Sequence, residues 1–194
     1  MKNRTALIAA PLLVLAYGVL RIADGLDGVR GPGVAWTVGH LAFLGALALF
    51  VPIFWEMRSM LGRSALATTA LVGGVVGIGC AAAQFTIDIV VGFLAADHDA
   101  MSSMFTQVQA VPGVSVVVYS AGPILFYVAQ LAFAGLLAGH RMVKAWVPVA
   151  VLAEIVLSAV DKDLIPVGAV LLFVSFLPLM GRRTPVARHT PAHA

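Results

Sequence analysis

Six stretches of this chain approach the length and apolarity a helix needs to cross a bilayer, and that feature decides most of what the sequence can fold into. A crossing takes about 20 mostly apolar residues for a hydrocarbon core about 30 Å thick. The stretches lie near residues 5–22, 34–55, 66–94, 111–139, 145–160 and 164–180. They are continuous runs of Leu, Val, Ala and Ile, unlike the alternating segments of about ten residues used by barrel strands, so they are read as helices. Of the 194 residues 61% are hydrophobic and 11% charged, against about 25% charged in soluble domains. With a mean hydropathy of +1.01, a water-soluble globule is excluded. The expected fold is all-α: a polytopic membrane bundle of six transmembrane helices.

The basic residues orient the bundle, because cytoplasmic loops carry the excess of Lys and Arg. One side collects Lys2, Arg4, Arg58, Arg63, Arg141, Lys144, Arg182, Arg183 and Arg188, the other only Arg21, Arg30 and Lys162. This asymmetry places both termini in the cytoplasm of a multi-pass cell-membrane protein. Asp24, Asp27, Asp97, Asp99, Asp161 and Asp163 then fall in outer loops, leaving Glu56, Asp88 and Glu154 as the remaining acids. Residues 1–180 form one domain, since no hydrophilic stretch could fold separately, and residues 181–194 are a basic tail expected to be disordered. The first apolar run lacks a good small-residue cleavage site after it and is read as a retained span. The single Cys80 cannot form an internal disulfide.

Gly73 and Gly77, like Gly135 and Gly139, have the spacing that lets helix backbones approach closely in lipid. They serve packing inside the bundle or a homodimer face. The Gly- and Asp-rich segment from Asp24 to Gly33 reads as a solvated connector. Met101, Met104, Phe105 and Val108 share one face of a short helix lying on the outer membrane surface, which could act as a lid.

Polar residues inside spans are the informative ones, since an ionisable group in hydrocarbon is costly and usually paired or functional. Counted from the outer end of its span, His40 lies six residues in, Asp88 six, Glu154 six, Tyr119 eight and Tyr17 five. At about 1.5 Å per residue this is one layer, about 8 to 12 Å deep. Gln84 lies one turn below Asp88, and Trp36 one turn above His40. Glu154, Ser158 and Asp161 form a stripe from the layer towards water. The layer is either a set of mutually satisfied groups fixing helix register or a pocket in which Asp88 and Glu154 act as acid and base, His40 relays a proton, and Tyr119, Gln84, Tyr17 and Trp36 contact a substrate. The convergence of these helix faces is the condition on which the pocket depends.

No HExxH, Cys cluster or second span histidine points to a metal or haem, and no cofactor is expected. Phosphate loops and nucleophile elbows are absent, and nucleic acid is not an expected partner; membrane lipids are.

Phe54-Trp55-Glu56 resembles the segment bearing an acidic residue in integral-membrane terpene cyclases, which protonate a prenyl chain with carboxylic acids. Trp36-x-x-x-His40 opening the second span, with Asp88 late in the third, resembles small six-span membrane proteins of high-GC actinobacteria, a group without an established activity. The first resemblance implies acid chemistry on an isoprenoid, the second only the fold. Three functions follow: an intramembrane acid–base enzyme of cyclase or isomerase type acting on a lipid-like or isoprenoid-like molecule in a cavity near the outer leaflet; a proton-coupled small-solute transporter; or a non-catalytic membrane partner or scaffold.

Overall fold

A computed structural model describes residues 4–181. The residues of the expected tail beyond Gly181 lie outside them. The chain forms α1 (Arg4–Asp24), α2 (Val34–Met60), α3 (Ala65–Leu94), α4 (His98–Ala110), a π-helical segment (Val114–Ala121) running into α5 (Gly122–Gly139), α6 (Trp146–Val160), a 3-10 turn (Lys162–Leu164) and α7 (Ile165–Met180). Capping chemistry starts two of these helices. Ser64 Oγ accepts from Ala67 N at 3.3 Å ahead of α3, and Asp97 Oδ1 accepts from Ala100 N at 2.8 Å ahead of α4, each satisfying an orphan amide of the first turn.

Five helical segments are long and apolar enough to cross a membrane, counting Val114–Gly139 as one and Lys162–Met180 as another; α6, with 15 residues, is shorter. The six bundle helices close into a ring in the order α1, α2, α3, α5, α6, α7 and back to α1. Close approaches along the ring are made by glycines. Gly18 faces Pro166, Gly74 faces the Phe54 ring and Ala129, and Gly168 faces Ser158. A Cβ on Gly77 would collide with the backbone nitrogen of Phe126, and one on Gly122 with Cys80. Thus Gly74 and Gly77 are packing residues within the chain, whereas Gly73, Gly135 and Gly139 have open space beside them.

Phe50, Phe54, Phe126 and Phe133 fill the middle of the ring in edge-on and tilted contacts. The outward surface is apolar, with Leu12, Leu41, Val76, Val128, Val149 and Val170 all exposed. Large exposed apolar surface on a folded bundle is unfavourable in water and is the normal lipid-facing surface of a membrane helix bundle.

The end of the bundle that carries the α1–α2 and α6–α7 connections is capped by loops held by ion pairs and hydrogen bonds. Arg30 Nη2 donates to both carboxylate oxygens of Asp163 at 2.8 Å, and Arg21 Nε lies 3.6 Å from the same group. Gly31 N donates to Asp24 Oδ2 at 2.8 Å. The Asp24–Gly33 segment expected to be a solvated connector is therefore tied to the neighbouring α6–α7 turn. The expected surface helix forms as α4: Met101 is buried, and Phe105 packs against Trp36 at 6.3 Å between ring centroids.

Candidate functional site

The antiparallel pairing of α2 with α3 brings the first turn of α2 against the last two turns of α3. Gly92 makes this contact close: a Cβ there would stand 2.7 Å from Trp36 Cδ1. The indole can then reach past it to donate from Nε1 to the Asp88 carbonyl at 2.9 Å. One turn further along α2, His40 Nδ1 is 2.7 Å from the Trp36 carbonyl. A carbonyl can only accept, so Nδ1 carries the proton and Nε2 is the nitrogen turned towards Asp88, 3.7 Å from Oδ2.

The third partner of Asp88 comes from the π-helical segment. Pro123 has no N–H to give to the Tyr119 carbonyl four residues earlier, and its ring would crowd that carbonyl in a regular helix. The preceding turns widen instead. Gly122 N donates to Val117 O, and Ser120 Oγ donates to Ser115 O at 3.1 Å. This widened stretch carries Tyr119, whose hydroxyl donates to Asp88 Oδ1 at 3.0 Å. Asp88 thus has a phenol on one oxygen and an imidazole facing the other. Tyr17 completes the cluster from α1, edge-on to His40 at 5.6 Å. A void of about 10 Å³ lined by Tyr17, Arg21, Asp24, Arg30, Trp36 and His40, among others, lies between this group and the charged loops at that end of the bundle.

Glu154 belongs to a second cluster. It is 5% exposed on α6, and its Oε1 accepts a hydrogen bond from the Gln130 amide of α5, itself 4% exposed. A void of about 30 Å³ adjoins Glu154, Gln130, Tyr127 and Ser158 among apolar neighbours, which is space for about one water molecule. Among the described residues no hydrogen bond or ion pair joins Glu154 to His40, Asp88 or Tyr119. Depth counting is compatible with one layer, but helix rotation divides its members into two groups.

A groove of about 490 Å³ between α5 and α6 adjoins both groups. Tyr119, the hydrogen-bond partner of Asp88, stands on its wall; so do Tyr127 and Ser158, which also line the void beside Glu154. The hydroxyls of Tyr127 and Ser158 make no hydrogen bond among the described residues. The groove occupies the loosest joint of the ring, where α5 and α6 touch least. Its size falls in the range of small-molecule sites, whereas the two internal voids are water-sized.

Of the residues expected in the layer, His40, Asp88, Tyr119, Trp36 and Tyr17 come together, and Glu154 stands apart with Gln130. Gln84 is half-buried and makes no hydrogen bond among the described residues. Glu56, of the Phe54-Trp55-Glu56 string, lies at the opposite end of α2 from His40 and is not in this site. Sequence reasoning missed Gln130, although a lone amide within the apolar run Tyr127-Val-Ala-Gln-Leu-Ala-Phe133 is a readable signal. It also missed Tyr127. Among the described residues no three His, Cys, Asp or Glu side chains are close enough to share a metal ion. Comparisons with models of protein families, with curated proteins and with solved structures give no match.

Proposed function

We propose that the chain is a six-span protein of the cell membrane with both termini cytoplasmic, and that it takes a lipid-like or isoprenoid-like molecule from the bilayer into the α5–α6 groove and acts on it by acid–base chemistry. The sixth span is α6: α3 is antiparallel to α2 and α5, and α1 is antiparallel to α2 and α7, so α5 and α7 run in the same direction and a chain crossing the membrane in both must return between them. The observation that carries the chemical reading is that the groove presents Tyr119, hydrogen-bonded to Asp88, and Tyr127 on one wall and Ser158 on the other, the last two also lining the void beside Glu154. A small apolar cavity near the outer leaflet was the sequence expectation; the internal voids of about 10 and 30 Å³ are too small for a substrate, so the reacting molecule belongs in the lateral groove.

In this reading a protonated Asp88 stands behind Tyr119: the Tyr119 hydroxyl, which donates to Asp88 Oδ1 at rest, turns its proton to the substrate and takes one from Asp88 Oδ1. His40, with Nδ1 held to the Trp36 carbonyl, takes up a proton on Nε2 and returns it to Asp88 Oδ2. Glu154, acting through the Ser158 hydroxyl or a water, accepts a proton lost elsewhere on the substrate and releases it to water between turnovers, so substrate and protein each end with the protons they began with and the sum is an isomerisation or a cyclisation. The resemblance to six-span actinobacterial proteins rests on Trp36, His40 and Asp88, three residues of this same cluster. The resemblance to terpene cyclases rests on a segment outside it, so the isoprenoid class is supported by the groove and not by Glu56.

Native mass spectrometry of the detergent-purified protein, wild type beside Asp88→Asn, with the bound organic fraction identified, tests the proposal. A discrete small lipid or prenyl compound on the wild type, altered in identity or occupancy by the substitution, is the expected result. Bulk phospholipid on both, with a variant that is merely less stable, makes the cluster structural and ends the enzyme reading. Solute-driven proton uptake into vesicles that Asp88→Asn abolishes would replace it with a proton-coupled carrier.

A further inference from the structure

The groove is not uniformly apolar along its length. Leu131, Val128, Leu152 and Ile155 line its inner part, whereas Tyr119, Ser120 and Lys162 stand at its outer end. From Leu152 to Lys162 the chain advances about 15 Å, about half of the hydrocarbon thickness. An occupant of this groove therefore lies within one leaflet, with its polar end at Lys162.

Lys162 differs from the other two basic residues of the outer end. Arg30 and Arg21 both engage Asp163, and Asp161 Oδ1 is taken by the Asp163 amide at 2.8 Å. Among the described residues no carboxylate lies within ion-pair distance of the Lys162 ammonium. Asp163 is thus committed to the two arginines and Asp161 caps the 3-10 turn without pairing with Lys162, so one exposed cation with three N–H donors stands at the polar end of an apolar groove.

We infer that the groove takes a single-chain amphiphile with a phosphate head group, the phosphate on Lys162 and the chain along Leu152 and Ile155 towards Leu131. The inference deepens the proposed function and rests on its assignment of the groove. A compact ammonium binds phosphate as a point charge, and a neutral alcohol of the same chain length would leave that charge without a partner. The same placement brings the part of the chain nearest the head group beside Tyr119.

The test uses the full chain in phosphatidylcholine nanodiscs, with dodecyl phosphate, dodecanol and inorganic phosphate as probes and binding read by native mass spectrometry. Dodecyl phosphate is expected to bind at least about tenfold more tightly than dodecanol, with inorganic phosphate failing to displace it at equal concentration. Lys162→Gln should remove the preference and leave dodecanol binding unchanged. Leu152→Trp, at an exposed position where the larger side chain fills the groove without entering the core, should abolish binding of both chains. Equal affinity for the two chains, or a preference that survives Lys162→Gln, overturns the head-group assignment and leaves the groove standing. Displacement by inorganic phosphate overturns the role of the chain. Binding indifferent to Leu152→Trp, or no binding of either chain, overturns the groove as the site and with it the location of the proposed chemistry.

Discussion

Towards α3, the helix built from Val114–Ala121 and α5 approaches so closely at the level of Tyr119 that neither Gly77 nor Gly122 could carry a methyl group without collision, although the same joint opens into a groove of about 500 Å³ further along, beside Gly73 and Gly135. Towards α6, the same helix leaves a groove of about 490 Å³, with the Gln130–Glu154 bond buried behind it. Each side carries one of the two buried span carboxyls. Asp88, on the close side, is met by Tyr119, by His40 and, through its backbone, by Trp36. Glu154, on the open side, has a neutral amide as its hydrogen-bond partner among the described residues. The close side sets the position of Tyr119 against Asp88, and the open side leaves that tyrosine on the wall of the groove.

Five substitutions at four positions probe this contrast. Gly77→Ala is expected to be the most damaging, lowering stability by about 3 kcal/mol through forced displacement of backbone, while Gly73→Ala, with open space beside it, stays within about 0.5 kcal/mol. Thermal unfolding of the two variants in detergent reads the difference, and equal melting temperatures would mean that the α3–α5 contact is no tighter than the open face. Glu154→Leu comes next, at about 2 kcal/mol, because it leaves the buried Gln130 amide without its acceptor. Glu154→Gln retains an acceptor oxygen and should cost less than half as much; if the two cost the same, Gln130 is satisfied in some other way. Among the substitutions that remove a polar contact, Tyr119→Phe has the smallest expected effect on stability, about 0.6 kcal/mol for one hydrogen bond within a membrane bundle. Loss of bound lipid from that variant at nearly unchanged melting temperature would show that the hydroxyl serves the groove rather than the fold.

Much of the first cluster was legible from counting alone. His40, Asp88, Tyr119 and Tyr17 were placed at one depth, and they do meet. Glu154 was placed at the same depth and does not join them, because a residue count along a helix measures height and says nothing of the direction in which the side chain turns. Gln84 failed for the same reason. The widening of the helix before Pro123 was out of reach of an apolar-run argument: the proline predicts a disturbed turn, but a kink and a π-helical stretch are both answers to its missing N–H. Arg30 and Asp163, 133 residues apart, could not be paired by any local rule.

Apolar length, the distribution of Lys and Arg and the depth of each buried polar group are properties of a chain threaded through a layered solvent, so residue order alone was enough to set out the helical segments and the expected orientation. Which faces meet depends on where glycines allow backbones to touch, at Gly77, Gly92 and Gly122, and those contacts join residues distant in sequence. The ring order, the separation of Asp88 from Glu154 and the groove at the α5–α6 joint therefore emerged only with the tertiary structure, because helix rotation is set by packing against neighbours and not by hydropathy.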